Sequence, residues 1–274
     1  MKKIFKNKLL SIILIMALMV GILGGVSVFI DDLNDDVSND DSSNDTQYES
    51  FSPEDNNSGN SAGVVDFSKL TYVALGDSIT YGFDSTRGGL QMEKPYPALV
   101  GELLSLKSVY NYGISGSTLT SLDSTRHPVL NRYSSMTNNA DIVSVMIGIN
   151  DYMIGAADLG TIDSTDANTI YGALNQLASG LKSKYPDAYI FFMTPYKCAR
   201  APGVCAKGYS LEDVVKAIKE VCLKHNIDVL DMYSEGQYEL EMNLSSNDGI
   251  HPSQSFFIEY TAPQIAAFIK SNYK

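Results

Sequence analysis

The stretch TYVALGDSIT, residues 71–80, decides the fold of this 274-residue chain. Its first five residues carry no charge and are mostly apolar, which is typical of a strand buried on both faces. Gly76 then opens a turn, and Ser78 stands where a helix can begin, so that its hydroxyl lies at the end of the strand beside free backbone N–H groups. The stretch therefore predicts a strand, a turn and a helix. Read alone, it is also typical of a serine that only caps a helix.

Four further apolar runs follow, separated by longer segments in which apolar residues recur at helical spacing. Short runs of this kind suit strands that are buried on both faces. Strands alternating with helices predict a parallel sheet covered on both sides, with functional sites at the carboxyl ends of its strands. The predicted strands are 71–75, 109–112, 142–147, 188–193 and 227–230, and the predicted helices are 97–106, 170–184, 211–225 and 253–272.

Two of the predicted strands end in motifs that could donate hydrogen bonds to a developing negative charge. Asn111-Tyr112-Gly113 ends the second strand, and a glycine there lets the backbone approach a ligand and turn its N–H toward it. Residues 148–151 end the third strand, and Asn150 among them carries a side-chain NH₂ donor. Taken singly, the first motif is also typical of a loop glycine and the second of a buried turn.

The chain contains three histidines, and one of them has an acid close by. In Asp248-Gly249-Ile250-His251, the carboxylate can orient the imidazole through one ring nitrogen, which leaves the other to accept a proton from a serine. His225 ends a predicted helix, a place that favours a cation, and we interpret it as structural. His127 lies in a predicted loop without a neighbouring acid.

Together and in this order, the motifs resemble those of the SGNH hydrolase family, also called GDSL esterases/lipases. The resemblance rests on Gly76-Asp77-Ser78, Gly113, residues 148–151 and residues 248–251, and it extends from about residue 65 to the end of the chain. Ile79 stands where the motif that names the family has Leu. The resemblance implies a flavodoxin-like, three-layer α/β/α sandwich with a five-stranded parallel sheet, which agrees with the strand pattern.

The resemblance also implies a serine hydrolase that cleaves ester bonds without a metal or organic cofactor. Ser78 would be the nucleophile, His251 the general base and acid, and Asp248 the residue that orients the imidazole. The oxyanion hole would consist of the Ser78 N–H, the Gly113 N–H and the Asn150 side-chain amide. Two flanking acids are expected to accept hydrogen bonds that fix their loops, namely Asp77 and Asp151.

The N-terminal quarter differs in composition from the rest. Residues 1–30 combine a basic start with an uncharged apolar run, which is long enough to span a bilayer and predicts either a cleaved signal peptide or an uncleaved signal-anchor. Residues 31–66 are acidic and rich in Asp, Asn and Ser, which predicts a disordered linker. The hydrolase domain would then occupy residues 67–274 of a secreted or cell-surface protein, expected to be a monomer.

The net charge of −12 argues against a nucleic-acid partner, since such proteins need a basic surface. Short acyl groups such as acetyl, carried on a carbohydrate, are the favoured substrates, because no apolar lid segment follows the N-terminal run and the loops near the motifs are polar. The alternatives are a lysophospholipase or thioesterase, and a non-catalytic glycan-binding module.

Cys198 and Cys205 lie in a predicted loop with six residues between them. In an exported protein a disulfide between them would close that loop, and two free thiols are the alternative.

Overall fold

The computed structural model describes residues 65–201, 203–234 and 246–274. The predicted signal segment (1–30) and nearly all of the predicted linker (31–66) lie outside the described residues and stay predictions. Within the described residues, no helix combines the length and the apolar character that a membrane crossing requires.

Five parallel strands form the central sheet, in the order β4-β1-β5-β6-β7, and this confirms the predicted fold class. A separate antiparallel hairpin, β2 with β3, follows the first strand. Every residue of β1 is buried, as the uncharged run predicts for a strand in the middle of a sheet. The strands are β1 Thr71–Gly76, β2 Phe83–Asp84, β3 Leu90–Gln91, β4 Ser108–Gly113, β5 Ile142–Met146, β6 Tyr189–Met193 and β7 Asp228–Leu230.

The helices that the periodicity predicts are present in the layers beside the sheet. The start of the helix at 211 follows from a capping box, in which Ser210 and Asp213 each bind the other's backbone N–H. The short helix after β1 is the one that residues 71–80 predict, and the short helices after β4 and β5 are additional. The α-helices are α1 Ser78–Tyr81, α2 Tyr96–Leu104, α3 Val129–Arg132, α4 Ile149–Ile154, α5 Ile170–Lys184, α6 Leu211–Lys224, α7 Gln254–Phe256 and α8 Ala262–Asn272.

Side chains of the sheet alternate between two cores, one on each face. Val73 and Leu75 pack with α5 and α6 in the first core. Tyr72 and Ala74 pack with α2 and α8 in the second. The alternation follows from the two-residue period of a strand, which sends successive side chains to opposite faces. The described domain is therefore a three-layer α/β/α sandwich.

The predicted helix 253–272 is wrong as a continuous element. A π-helical turn, Phe257–Thr261, separates α7 from α8. Pro263 lies in the first turn of α8 and has no N–H to donate to the carbonyl one turn earlier, so the regular α-helical hydrogen-bond pattern is interrupted at this point.

The register of the sheet brings the ends of three strands together. Gly76 at the end of β1 pairs with Gly113 of β4 on one side and with Met146 of β5 on the other. The polar motifs that follow these strands therefore share one edge of the sheet, as expected for the carboxyl ends of parallel strands.

Candidate active site

The turn after β1 holds Ser78 at the start of α1. The Asp77 carboxylate accepts a hydrogen bond from the Ile79 N–H at 2.9 Å and so caps the helix. Only glycine fits at position 76, because a Cβ there would lie 2.1 Å from Thr80 Oγ1 and 2.6 Å from the Met146 carbonyl oxygen. As the first residue of α1, Ser78 has an N–H with no acceptor inside the helix.

His251 joins Ser78 to Asp248. The distance from His251 Nε2 to Ser78 Oγ is 2.8 Å, and the distance from His251 Nδ1 to Asp248 Oδ2 is 2.7 Å. The other carboxylate oxygen of Asp248 accepts the backbone N–H groups of Ile250 at 3.0 Å and His251 at 2.9 Å. One loop therefore presents the acid and the imidazole as a unit, and the imidazole reaches the hydroxyl at the end of β1.

The electrostatic setting keeps Asp248 ionised. Partial burial of its side chain favours the neutral acid, but the hydrogen bonds from the backbone and ring of His251 and from the Ile250 N–H outweigh it and hold the pKa of Asp248 below its ordinary value. An ionised Asp248 accepts a hydrogen bond from the Nδ1–H of His251, and this leaves Nε2 available as an acceptor for the Ser78 hydroxyl.

The hairpin after α1 supports the imidazole. Phe83 in β2 packs against the His251 ring, with ring centroids 4.4 Å apart. Gly89 makes room for this phenylalanine, since a Cβ at that position would lie 2.5 Å from the Phe83 ring. The hairpin therefore covers one side of the histidine and limits its movement.

Asn150 is the second residue of α4 and lies beside the loop that follows β4. Its Nδ2 donates one hydrogen bond to the Ser117 carbonyl at 2.8 Å. The amide group has two N–H donors, so the second remains for another acceptor. Asn150 therefore has a fixed orientation and a spare donor, as its predicted place in an oxyanion hole requires.

The structure does not favour the predicted oxyanion role of Gly113. Its N–H already donates to Oδ1 of Asn111 at 2.8 Å. A Cβ at this position would lie 2.1 Å from the Tyr81 backbone nitrogen, so the glycine is required where β4 packs against α1.

Gly116 suits that role better and was missed by the sequence analysis. It has a left-handed φ of +79° and space around its Cα, where the nearest atom to an added Cβ would be Arg126 Nη1 at 3.8 Å. Its N–H has no acceptor among the described residues, and it precedes Ser117, whose carbonyl binds Asn150. The second glycine of the run NYGISG is the sequence signal that could have identified it.

The two flanking acids act on loops, as predicted. Asp151 accepts the N–H groups of Leu119 at 2.7 Å and Thr120 at 3.0 Å, together with the Thr120 hydroxyl. Burial raises the pKa of Asp151, and it raises the pKa of Asp77 to about 7. Oδ2 of Asp77 is buried without a hydrogen-bond partner among the described residues, which suits a carboxyl group that is neutral over part of the physiological range.

Cys198 and Cys205 are free thiols in the structure, so the disulfide left open by the sequence is not formed here. Both side chains pack partly buried against the core on the α5–α6 face. Burial raises the pKa of Cys198 above its ordinary value.

A serine, a histidine and an aspartate joined in this way, at the carboxyl edge of a parallel sheet, define the class of serine hydrolases. The sequence profile of the GDSL-like Lipase/Acylhydrolase family matches residues 74–255, a range that contains all three residues. The chain belongs to this family, which confirms the predicted resemblance, and it is an ester-hydrolysing serine hydrolase. Comparison with curated protein sequences finds no match.

Several solved structures have a similar fold. A protein from Lactobacillus plantarum is 25% identical with a TM-score of 0.66, over 77% of this chain and 100% of that one. The lipase/acylhydrolase from Enterococcus faecalis is 22% identical with a TM-score of 0.54, over 75% and 97%. A variant of Axe2, an acetyl-xylooligosaccharide esterase from Geobacillus Stearmophilus, is 22% identical with a TM-score of 0.52, over 77% and 98%. At the identities of the last two, the similarity shows the fold alone.

Proposed function

We propose that the protein hydrolyses short-chain O-acyl groups, acetyl above all, on carbohydrate, with Ser78 as nucleophile, His251 as general base and acid, and Asp248 orienting the imidazole. The observation that carries this proposal is the continuous hydrogen bonding from Asp248 Oδ2 through His251 to Ser78 Oγ. It is the geometry that lets a histidine take the serine proton as the hydroxyl attacks.

The reaction has two steps. Ser78 Oγ attacks the ester carbonyl while His251 takes its proton, and the same proton then passes to the departing alcohol as the C–O bond breaks. In the second step water attacks the acyl-serine, His251 accepts a proton from the water, and the acid is released as the proton returns to Ser78.

The oxyanion of each tetrahedral intermediate needs donors that are already in place. The Ser78 N–H and the second N–H of the Asn150 amide meet this condition, because neither has an acceptor inside its own helix or loop. We assign the third donor to Gly116 instead of Gly113, whose N–H is occupied by Asn111.

A small pocket next to the Asn150 helix supports the choice of a short acyl group. Its volume is about 60 Å³, which has room for an acetyl group but not for a long alkyl chain. Leu122 and Ile154 line it, and both are unusually exposed for apolar side chains, at 48% and 41%. Exposed apolar side chains that line a pocket are suited to a group that covers them, and Asp151, the residue after Asn150, lines the same pocket.

We also propose that the acyl group is attached to a carbohydrate and that the protein is exported from the cell. The Axe2 variant with a similar fold is named an acetyl-xylooligosaccharide esterase, and this makes acetylated saccharides a natural first substrate to try. The apolar run at residues 9–30 behind a basic start supports export toward such polymers.

The test compares p-nitrophenyl acetate, butyrate and octanoate, followed by acetate release from acetylated xylan and from acetylated peptidoglycan. We expect kcat/KM to fall as the acyl chain lengthens, and we expect Ser78→Ala to be inactive on every ester. Ser183→Ala, which removes an exposed hydroxyl on α5 bonded only within its own helix, serves as the matched control and should keep wild-type rates.

Each part of the proposal can fail separately. Wild-type turnover by Ser78→Ala would remove Ser78 from the mechanism. A preference for octanoate would exclude the short-chain assignment and favour the lysophospholipase or thioesterase reading. A complete lack of turnover on all of these esters, together with binding to the acetylated polymers, would favour a glycan-binding module.

A further inference from the structure

Arg132 ends α3 and is half-buried beside the turn that carries Ser78. Its guanidinium donates four hydrogen bonds, and three of the acceptors are backbone carbonyls. Nη2 binds the Gly76 carbonyl at 2.6 Å and the Ser117 hydroxyl at 3.0 Å, Nη1 binds the Tyr112 carbonyl at 2.5 Å, and Nε binds the His127 carbonyl at 3.0 Å. One side chain therefore connects four different residues.

The Gly76 and Tyr112 carbonyls belong to the ends of neighbouring strands. Gly76 is the last residue of β1 and lies two positions before Ser78, and Tyr112 is the next-to-last residue of β4. One planar guanidinium therefore connects the nucleophile turn with the start of the loop that contains Gly116. The rigid fork of an arginine can hold two such carbonyls at a set separation.

The other two acceptors, the Ser117 hydroxyl and the His127 carbonyl, connect Arg132 with Asn150. The Ser117 hydroxyl accepts from Arg132 and donates to the His127 carbonyl at 2.9 Å. The Ser117 carbonyl in turn accepts the Asn150 amide at 2.8 Å. A single residue thus separates the guanidinium from the amide that we assign to the oxyanion hole.

The loop that Arg132 binds contains a residue with an unfavourable backbone conformation. His127 has a φ of +49°, a left-handed conformation that is uncommon for residues other than glycine. Its carbonyl accepts both Arg132 and Ser117. Such a conformation persists where surrounding contacts determine it, and these two hydrogen bonds supply them.

The charge of Arg132 also persists in this half-buried place. Burial lowers the pKa of Arg132 to about 10, opposed by the nearby Asp77 carboxylate. The guanidinium therefore stays protonated at neutral pH, and all its donors remain available.

We propose that Arg132 is a positioning residue of the esterase, which holds the Ser78 turn and the Ser117–Asn150 contact at the separation that the oxyanion hole requires. The proposal rests on the ester hydrolysis assigned above and adds a residue to it. Arg132 touches no reacting atom. It acts through the Gly76 carbonyl and through Ser117.

The test measures kcat, KM and thermal stability of Arg132→Lys and Arg132→Ala with p-nitrophenyl acetate. Lysine keeps the charge but cannot reach the four acceptors with one group, so we expect kcat to fall by roughly 10²-fold, the effect of a misplacement of about 1 Å, with KM within about threefold of wild type. Added ethylguanidinium, but not ethylammonium, should restore part of the kcat of Arg132→Ala. A merely structural arginine would not produce this selective recovery.

Lys184→Met is the matched control. Lys184 donates hydrogen bonds to the Ser134 carbonyl and the Asn138 side chain. Like Arg132, it is a cationic side chain, but it holds the segment after α3 and does not bind the Ser78 turn. We expect a similar or smaller loss of melting temperature and an unchanged kcat. A kcat for Arg132→Lys within about threefold of wild type, or a loss that Lys184→Met reproduces, would overturn the proposal.

Ser117→Ala keeps the test decisive if the Arg132 variants fold poorly, because it removes only the hydroxyl that Arg132 binds. It should lower kcat at unchanged KM, and its effect should be non-additive with Arg132→Lys, as expected for residues in one network. Unchanged kcat in Ser117→Ala, or additive effects, would contradict the proposal. Ser78→Ala, assayed alongside, reports separately on the ester hydrolysis itself.

Discussion

Replacing Asn150 with alanine tests the oxyanion assignment most sharply, because the side chain has two separate contacts with different consequences. One N–H holds the Ser117 carbonyl at 2.8 Å. The other is free to bind the oxyanion. Alanine removes both donors without adding bulk or charge.

The two losses appear in different measurements. Loss of one oxyanion donor lowers kcat by about 10²–10³, or about 2.7–4 kcal/mol of transition-state stabilisation. KM should change little, since the substrate carbonyl carries no full negative charge before attack. The Ser117 carbonyl, in a residue that is fully buried, loses its donor, and this should lower the free energy of unfolding by about 1–3 kcal/mol.

The assay pairs steady-state kinetics on p-nitrophenyl acetate with urea unfolding, and Asn175→Ala is the control. Asn175 lies in α5 and donates its amide to the Ile162 and Ser164 carbonyls of the preceding loop, so it has the same chemistry in a place unrelated to the triad. We expect the control to lose stability but keep kcat. Asn150 would have no oxyanion role if Asn150→Ala kept kcat within about threefold of wild type while Ser78→Ala was inactive, or if both asparagine variants lost kcat equally.

Four further substitutions separate roles that the structure assigns. Gly113→Ala should lower the free energy of unfolding by about 1–3 kcal/mol or more, because the new Cβ meets the Tyr81 backbone. Gly116→Ala should lower the free energy of unfolding by about 1–2 kcal/mol, because its φ is left-handed, and should also lower kcat. Equal losses of kcat in the two variants would contradict this assignment of roles. Ile154→Ala should raise kcat/KM for butyrate relative to acetate by enlarging the pocket, and an unchanged ratio would argue against an acyl site there. Burial raises the pKa of Asp77 to about 7. The neutral form therefore contributes stability that is fully present below pH 4 and is lost as pH rises through 7. Between pH 4 and 8 the urea midpoint should fall more in wild type than in Asp77→Asn, and parallel curves would contradict the raised pKa of Asp77.

Much of the fold was accessible from the sequence because burial imposes a pattern on it. The uncharged run of β1 predicts a central strand, and the apolar spacing over residues 170–184 predicts α5 with its observed bounds. His251 was identifiable because the chain has three histidines and this one follows an acid, Asp248, by three positions. In each case a local pattern carried the information.

The rest depends on contacts that no local pattern records. The choice between Gly113 and Gly116 depends on the close packing of Gly113 against the Tyr81 backbone, in addition to the hydrogen bond from the Gly113 N–H to the Asn111 side chain. Arg132 binds mainly backbone carbonyls, which every residue possesses, so nothing in the sequence marks its partners. The Gly76 and Tyr112 carbonyls come within reach of one guanidinium because β1 pairs with β4, which is a property of the folded sheet.

The most direct test of the central claim is to treat the protein with a p-nitrophenyl alkylphosphonate and map the modified residue by peptide mass spectrometry. Such a reagent mimics the ester and stays attached to an activated serine. We expect one phosphonyl group on the peptide that contains Ser78, loss of esterase activity in step with labelling, and much slower labelling of His251→Ala. Inactivation with the label on another residue, or full activity after Ser78 is labelled, would contradict the central claim.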